Sequence, residues 1–240
     1  MNPFILALQA RNLTVEIHRH SAYQIVISND TPFNSTIDGT LFEDIHGFLI
    51  KPHISHFCVA ENGTLNILNI EPYSNIGLEL ASRFKENEEY IVFDQPSETS
   101  KFFKTPKDSV DINVLIDGLV SDLPPNNYDE RVTKIVEYIA ENYFKSDITP
   151  KTFEDIVFLS PSRLASLFKK QTGSSLSKYL LWTRMRKAIY IALSEKERSL
   201  TDIAYDTGFY DLPQWNKYMY EMFGMPPKAL KFNSDLIKVF

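Results

Sequence analysis

Hydrophobic and polar positions alternate with a period of two from Phe4 to about Pro72. The pattern then changes to a helical period. The short runs Leu13–Ile17, Tyr23–Ile27, Gly47–Ile50 and Leu65–Ile70 read as strands. Turn signals separate them at Asn29-Asp30, Asp38-Gly39 and Glu61-Asn62-Gly63. Several β-branched strands at this spacing predict a small antiparallel sandwich or barrel, cupin-like in outline. Ile76 to Asn87 reads as a short helix. Ser109 to Leu123 carries Ile112, Leu115, Ile116, Leu119 and Leu123 on one stripe. That stripe either covers the sheet or pairs with its copy in a dimer, and we assign it to dimerisation. Pro124-Pro125-Asn126-Asn127 reads as a linker.

Beyond the linker the pattern is helical almost to the end. Val132, Ile135, Val136, Ile139 and Tyr143 give a first helix its apolar face, behind Asp129 as a cap. Thr149-Pro150 and Ser160-Pro161 are cap-then-proline starts, where the missing N–H of proline costs no hydrogen bond. Leu176 to Leu193 reads as one long helix, with further helices from Ser199 and from Asp211 to Phe223. Two helix–turn–helix units repeat 50 positions apart. Phe153 matches Ile203 and Leu159 matches Phe209. After one extra turn residue Leu164 matches Trp215, Phe168 matches Met219, and Gly173 matches Gly224. Gly208 suits a turn with positive φ, and Phe158 falls at the matching place. Leu181, Trp182, Ile189 and Tyr190 make the long helix apolar nearly all round. That predicts contact of Trp182 or Tyr190 with the amino-terminal half or a second protomer.

The motif text is Leu159-Ser160-Pro161-Ser162-Arg163-Leu164 running to Lys169-Lys170-Gln171-Thr172-Gly173. It continues through Tyr179-Leu180, Arg184-Met185 and Ala188, then Ser199-Leu200-Thr201-Asp202-Ile203-Ala204 and Gly208-Phe209. Phe223-Gly224-Met225-Pro226-Pro227 closes it. In this order the segment from about Arg131 to Lys231 resembles the DNA-binding domain of the AraC/XylS transcription regulators. The resemblance implies two helix–turn–helix units joined by a long helix and entering successive major grooves of promoter DNA. It also implies an effector-binding or dimerising β-domain ahead of them. The expected organisation is α+β: residues 1–108 a β-rich regulatory domain, 109–127 a dimerisation-type helix and linker, and 128–240 the DNA-binding domain.

Charge divides along the same line. The chain of 240 residues carries −6 overall, which by itself argues against a nucleic-acid partner. Residues 128–240, however, hold 17 Lys and Arg against 14 Asp and Glu, a net of +3, and residues 1–127 carry −9. With Leu164, Leu167 and Phe168 inward, Ser162, Arg163, Ser166, Lys169 and Lys170 face outward on the first reading helix. Arg184 is a phosphate contact from the long helix. With Trp215 and Met219 inward, Leu212, Gln214, Asn216 and Lys217 face the groove. Arg163 can fork onto guanine and Gln214 onto adenine, while the lysines suit phosphate or guanine.

Other chemistry is thinly supported. A small organic effector is a candidate ligand, with Phe33, Phe42, Phe48, Phe57 and Tyr73 as lining; alternatively these aromatics fill the core. His18 and His20 share a strand face, as in His-x-His metal sites, but the downstream glutamate of such enzymes is missing. Ordinary surface or hydrogen-bonded histidines are therefore expected, with no metal and no cofactor. The single cysteine, Cys58, excludes an intrachain disulfide and fits a reducing cytosol. No apolar run approaches the roughly 18 residues of a membrane helix. No nucleotide-binding loop or nucleophile elbow is present. The expectation is a cytoplasmic regulator, not an enzyme, acting as a homodimer on double-stranded DNA, with RNA polymerase a further candidate partner. The alternatives are an interaction or sensing module that binds DNA weakly, and a metal-dependent β-barrel enzyme.

Overall fold

A computed structural model of the chain describes residues 4–12, 14–28, 31–59, 63–103, 111–120 and 128–240. The amino-terminal part contributes β1 (Ile5–Arg11), β2 (Tyr23–Ser28), β3 (Phe33–Ile37), β4 (Thr40–Ile45), β5 (Gly47–Ile50), β6 (His56–Val59) and β7 (Thr64–Ile70). Helix α1 (Asn75–Ser82), strand β8 (Tyr90–Phe93), α2 (Pro96–Phe103) and α3 (Ile112–Val120) follow. The carboxy-terminal part contributes α4 (Glu130–Asn142), α5 (Glu154–Val157), α6 (Pro161–Thr172), α7 (Leu176–Ser194), α8 (Leu200–Asp206), α9 (Leu212–Phe223) and α10 (Pro227–Phe232). A 3-10 helix at Pro150–Phe153 leads into α5, and a last strand, β9 (Ile237–Val239), completes the described elements.

The strands form two sheets and do not close into the expected barrel. One sheet has six strands in the order β8-β5-β2-β7-β1-β9, and the other has three, β4-β3-β6. The larger sheet is covered on both faces, which the burial of all six residues of β2 makes plain. Tyr23, Ile25 and Ile27 enter a core shared with α1, α2 and α3. Val26 enters a second core shared with the small sheet, α7, α8 and α9. Successive strand residues point to opposite faces, so β2 serves both cores at once. A third core lies among α4, α5, α6 and the first turns of α7. Strand β9 pairs antiparallel with β1, Ala10 opposite Ile237, so the end of the chain becomes an edge strand of the amino-terminal sheet.

Three further expectations change. Thr14–Ile17 is not a ladder strand, and Leu13 lies outside the described residues; among the described residues this stretch makes only the bridge Thr14–Val59, followed by His18–His56. Ile112, Leu115 and Leu119 are at most 2% exposed and pack on the sheet, with Ile116 half-buried beside them. The stripe assigned to dimerisation is thus consumed inside the chain, because the sheet's second apolar face needs a cover. Leu123 and the Pro-Pro-Asn-Asn linker lie outside the described residues. Finally, Phe33 and Phe48 are core residues 6.1 Å apart by ring centroid, and Tyr73 stacks on Tyr128 at 3.9 Å beside α4. Half-buried Phe42 meets Tyr90. Phe57 is half-buried on β6.

Candidate nucleic-acid interface

The first unit is built from α5, a tight turn and α6. Phe158 ends α5 in the left-handed region, at φ 53° and ψ 40°, and is 88% exposed. Pro161 sits in the first turn of α6 and Gly173 closes it. Leu164 and Phe168 are fully buried. Helical spacing then turns Ser162, Arg163, Ser166, Lys169 and Lys170 to solvent, and all five are exposed. No ion pair engages Arg163, Lys169 or Lys170 among the described residues.

In the second unit Asp211 caps α9 by accepting from the Gln214 amide at 2.7 Å. Trp215 and Met219 are fully buried, as their spacing predicts. The reading residues are less free than those of the first unit. The Gln214 side-chain carbonyl accepts from the Tyr210 amide at 2.9 Å, which holds it at the helix start. Leu212 is half-buried against the core. Asn216 is half-buried and Lys217 exposed, its Nζ 3.9 Å from Glu221.

Arg184 is positioned for another task. Its Nε donates to the Tyr143 carbonyl and its Nη2 to the Lys145 carbonyl, both at 2.7 Å. These bonds tie α7 to the chain leaving α4, so the guanidinium is spent on backbone instead of phosphate. Gly208, at φ +85°, lies against the same place, where a Cβ would meet Arg184 Nε and the Tyr143 carbonyl at 2.7 Å.

The stretch from Val15 to Arg19 explains why no strand forms there. Its amides alternate between two partners. Val15 donates to Cys58 and His18 to His56, on the sheet side. Glu16 donates to the Gly224 carbonyl at 3.0 Å and Arg19 to the Glu221 carbonyl at 3.1 Å, on the helix side. Carbonyls at a helix end have no partner within the helix, so this segment caps α9 from the amino-terminal part. Trp182 completes the seam: it is 1% exposed, stacks on Phe223 at 5.7 Å and lies 5.6 Å from the His20 ring. Tyr190 remains 39% exposed. Sequence reasoning picked out Trp182 but missed this strap, whose partners lie some 200 positions away with no local pattern to mark them.

An apolar cavity of about 50 Å³ lies between the large sheet and the second unit. Val26 and Ile67 line it from the sheet, Met219, Phe223 and Leu230 from the helices, and Gln24 and Asn69 supply polar walls. The Gln24 amide donates to Asn69 at 3.1 Å. Gln24 Oε1 and Asn69 Nδ2 are buried with no partner among the described residues. None of the five aromatics expected to bind an effector lines this cavity. Cys58 does, and burial pushes its thiol up to about 12, so it stays protonated.

Comparison with known proteins agrees with this architecture. A helix-turn-helix domain family model matches residues 154–231. The HTH-type transcriptional activator RhaS of Enterobacter sp. (strain 638) is 28% identical over 121 residues, covering 50% of this chain and 41% of that protein. The uncharacterized transcriptional regulatory protein YesN of Bacillus subtilis is 26% identical over 102 residues, 42% of this chain and 28% of that one. The chain therefore spans less than half the length of either relative. Among solved structures, ToxT from Vibrio cholerae O395 superposes with a TM-score of 0.58 at 12% identity, covering 95% of this chain and 96% of that one. ToxT with a bound unsaturated fatty acid gives 0.56 at 11% identity, covering 95% and 94%. That likeness extends the shared fold to the amino-terminal sheets. The family match, the motif text, the duplicated units and the long helix between them together make residues 154–231 a helix–turn–helix domain, similar to those of the transcription regulators compared.

Proposed function

We propose that this chain is a sequence-specific DNA-binding transcription regulator, acting where chromosomal DNA is accessible, whose amino-terminal part restrains or licenses the reader. The observation that carries the reading is the outer face of α6, where Ser162, Arg163, Ser166, Lys169 and Lys170 are all exposed, opposite the buried Leu164 and Phe168. Arg163 is the residue suited to guanine, and Lys169 and Lys170 to phosphate. On α9, Lys217 and Asn216 reach outward, while Gln214 must give up its bond to Tyr210 before it can read a base.

The cavity suits a small, largely apolar effector with one polar end, because Gln24 and Asn69 line it and each keeps a buried polar atom with no partner among the described residues. At about 50 Å³ it holds little more than water-sized groups. A ligand such as the fatty acid of the ToxT complex would need the sheet and second unit to part. Effector binding and release of α9 from its strap would then be one event. A homodimer is compatible with the modest +3 of the reader, but it would use a surface other than the buried α3 stripe. RNA polymerase is a further partner for a promoter-bound regulator.

The test is selection of DNA from a random pool, followed by binding to the enriched site across a salt series. Affinity should fall steeply with salt, and Lys169→Ala or Lys170→Ala should each reduce the log–log slope by about 1. Arg163→Ala should relax preference at one base pair. No enriched sequence, with or without cell extract as a source of effector, would refute the reading.

A further inference from the structure

The three histidines His18, His20 and His56 meet at the seam between the two parts of the chain, and all three are buried. His18 and His56 face each other as a bridge pair, exchanging two backbone hydrogen bonds of 3.0 Å. Their ring centroids are 4.2 Å apart, and that of His20 lies 5.2 Å from that of His56. One ring nitrogen from each lies within 4.8 Å of the other two.

Their hydrogen bonding is the same three times over. Nδ1 of His18 bonds the Glu16 carbonyl at 2.8 Å, Nδ1 of His20 the Ala22 carbonyl at 3.1 Å, and Nδ1 of His56 the Ile54 carbonyl at 2.9 Å. A carbonyl only accepts, so each Nδ1 carries the proton and each Nε2 presents a lone pair. Nε2 of His20 and of His56 is buried with no partner among the described residues. Neutral imidazoles oriented by backbone carbonyls, each with a ring nitrogen close to those of the other two, are what a metal-binding histidine set requires. The two buried Nε2 atoms without a partner among the described residues each cost stability, which a bound ion would recover.

We propose that His18, His20 and His56 form a site for one divalent transition-metal ion of the zinc class, bound through their three Nε2 atoms. Imidazole ligands favour zinc, cobalt, nickel and copper over magnesium or calcium. Bonds of about 2.0–2.1 Å would draw the three rings together by small side-chain rotations. The fourth position is left to water, and an open cleft lined by His18, His20, Ser21, His53, Lys178 and Glu221 supplies the entry path. His18 sits on the strap that caps α9 and His20 directly follows it, so the ion would stiffen the contact between that helix and the amino-terminal part. The site itself stands independently of the DNA-binding reading.

The full chain, stripped of metal with a chelator, is titrated with Zn²⁺ and with Co²⁺. One equivalent of either should bind at micromolar concentrations or below, and Co²⁺ should give the strong visible absorption of a low-coordinate nitrogen site. The unfolding midpoint should rise with Zn²⁺ concentration, and the Glu16 and Arg19 amides should exchange more slowly. His20→Asn and the double variant His18→Gln/His56→Gln should weaken binding at least tenfold, while His46→Ala, outside the cluster, should leave it unchanged. Failure of the unaltered chain to bind either ion at millimolar concentration overturns the proposal without recourse to any variant. Undiminished binding by a folded His18→Gln/His56→Gln chain overturns it as well.

Discussion

The Arg186 guanidinium of α7 lies 3.0 Å from the Glu71 carboxylate at the end of β7, and both side chains are largely withdrawn from water. Burial pushes the Glu71 carboxyl up, to about 7, against the opposing pull of Arg186. Removing one partner strands the other, whereas removing both relieves two desolvation costs. Glu71→Leu or Arg186→Met alone should therefore cost about 3 kcal/mol or more. The double variant should recover most of that loss, as denaturant unfolding of the four proteins would measure. An additive double variant would mean that the two charges do not act as a pair.

The strap over α9 predicts a difference between two matched glycines. Gly173 and Gly224 close α6 and α9 with φ of +71° and +65°. A Cβ at Gly173 meets open space, while one at Gly224 collides with the Glu16 backbone. Gly173→Ala should cost only the left-handed strain, about 1 kcal/mol. Gly224→Ala should cost clearly more and speed exchange of the Glu16 and Arg19 amides. Equal losses in the two variants would show that the strap contributes no stability.

Phe158 holds a left-handed conformation that favours glycine, while 88% of its surface is exposed. Little burial offsets the backbone strain. Phe158→Gly should raise stability by about 1 kcal/mol, seen as a higher unfolding midpoint. A fall would show that the ring makes a contact worth more than the strain.

Acid should weaken the metal-free protein through its buried histidines. Burial holds His18 down at about 4 and His56 at about 3, with the neighbouring His18 adding to the second. In the unfolded chain both titrate near the ordinary 6.5. Below that value the unfolded state takes up more protons than the folded one, so stability is intact above pH 6.5 and falls as pH drops toward 4. One such histidine accounts for about 3 kcal/mol across that window. Urea midpoints at pH 7 and pH 5 would read the change, and His18→Gln should flatten it.

Much of this architecture was legible along the chain. Capping residues, prolines in first turns and a period of 3.6 marked α4, α6, α7 and α9, because a helix's start and buried face are local properties. The inward residues Leu164, Phe168, Trp215 and Met219 followed from the same spacing, and so did the exposed basic face of α6. The repeat of two helix–turn–helix units was visible because matching apolar positions recur. Strands β2, β5 and β7 were marked by their β-branched runs.

Other features depend on residues far apart in sequence. The stripe on α3 looks the same whether it meets a sheet or a second protomer; only the uncovered face of the large sheet made it an internal contact. Arg184 and Gln214 carry groups suited to DNA, but carbonyls and amides brought close by folding hold them elsewhere. Strand β9 pairs with β1 across nearly the whole chain. His18 and His20 already formed a pair in sequence, and the third histidine reached them only through the long-range backbone bridge between His18 and His56. Local periodicity determines which elements form and which side of each is apolar. What each apolar side covers, and which polar groups are left without partners, is decided by long-range packing, which no single stretch of sequence encodes.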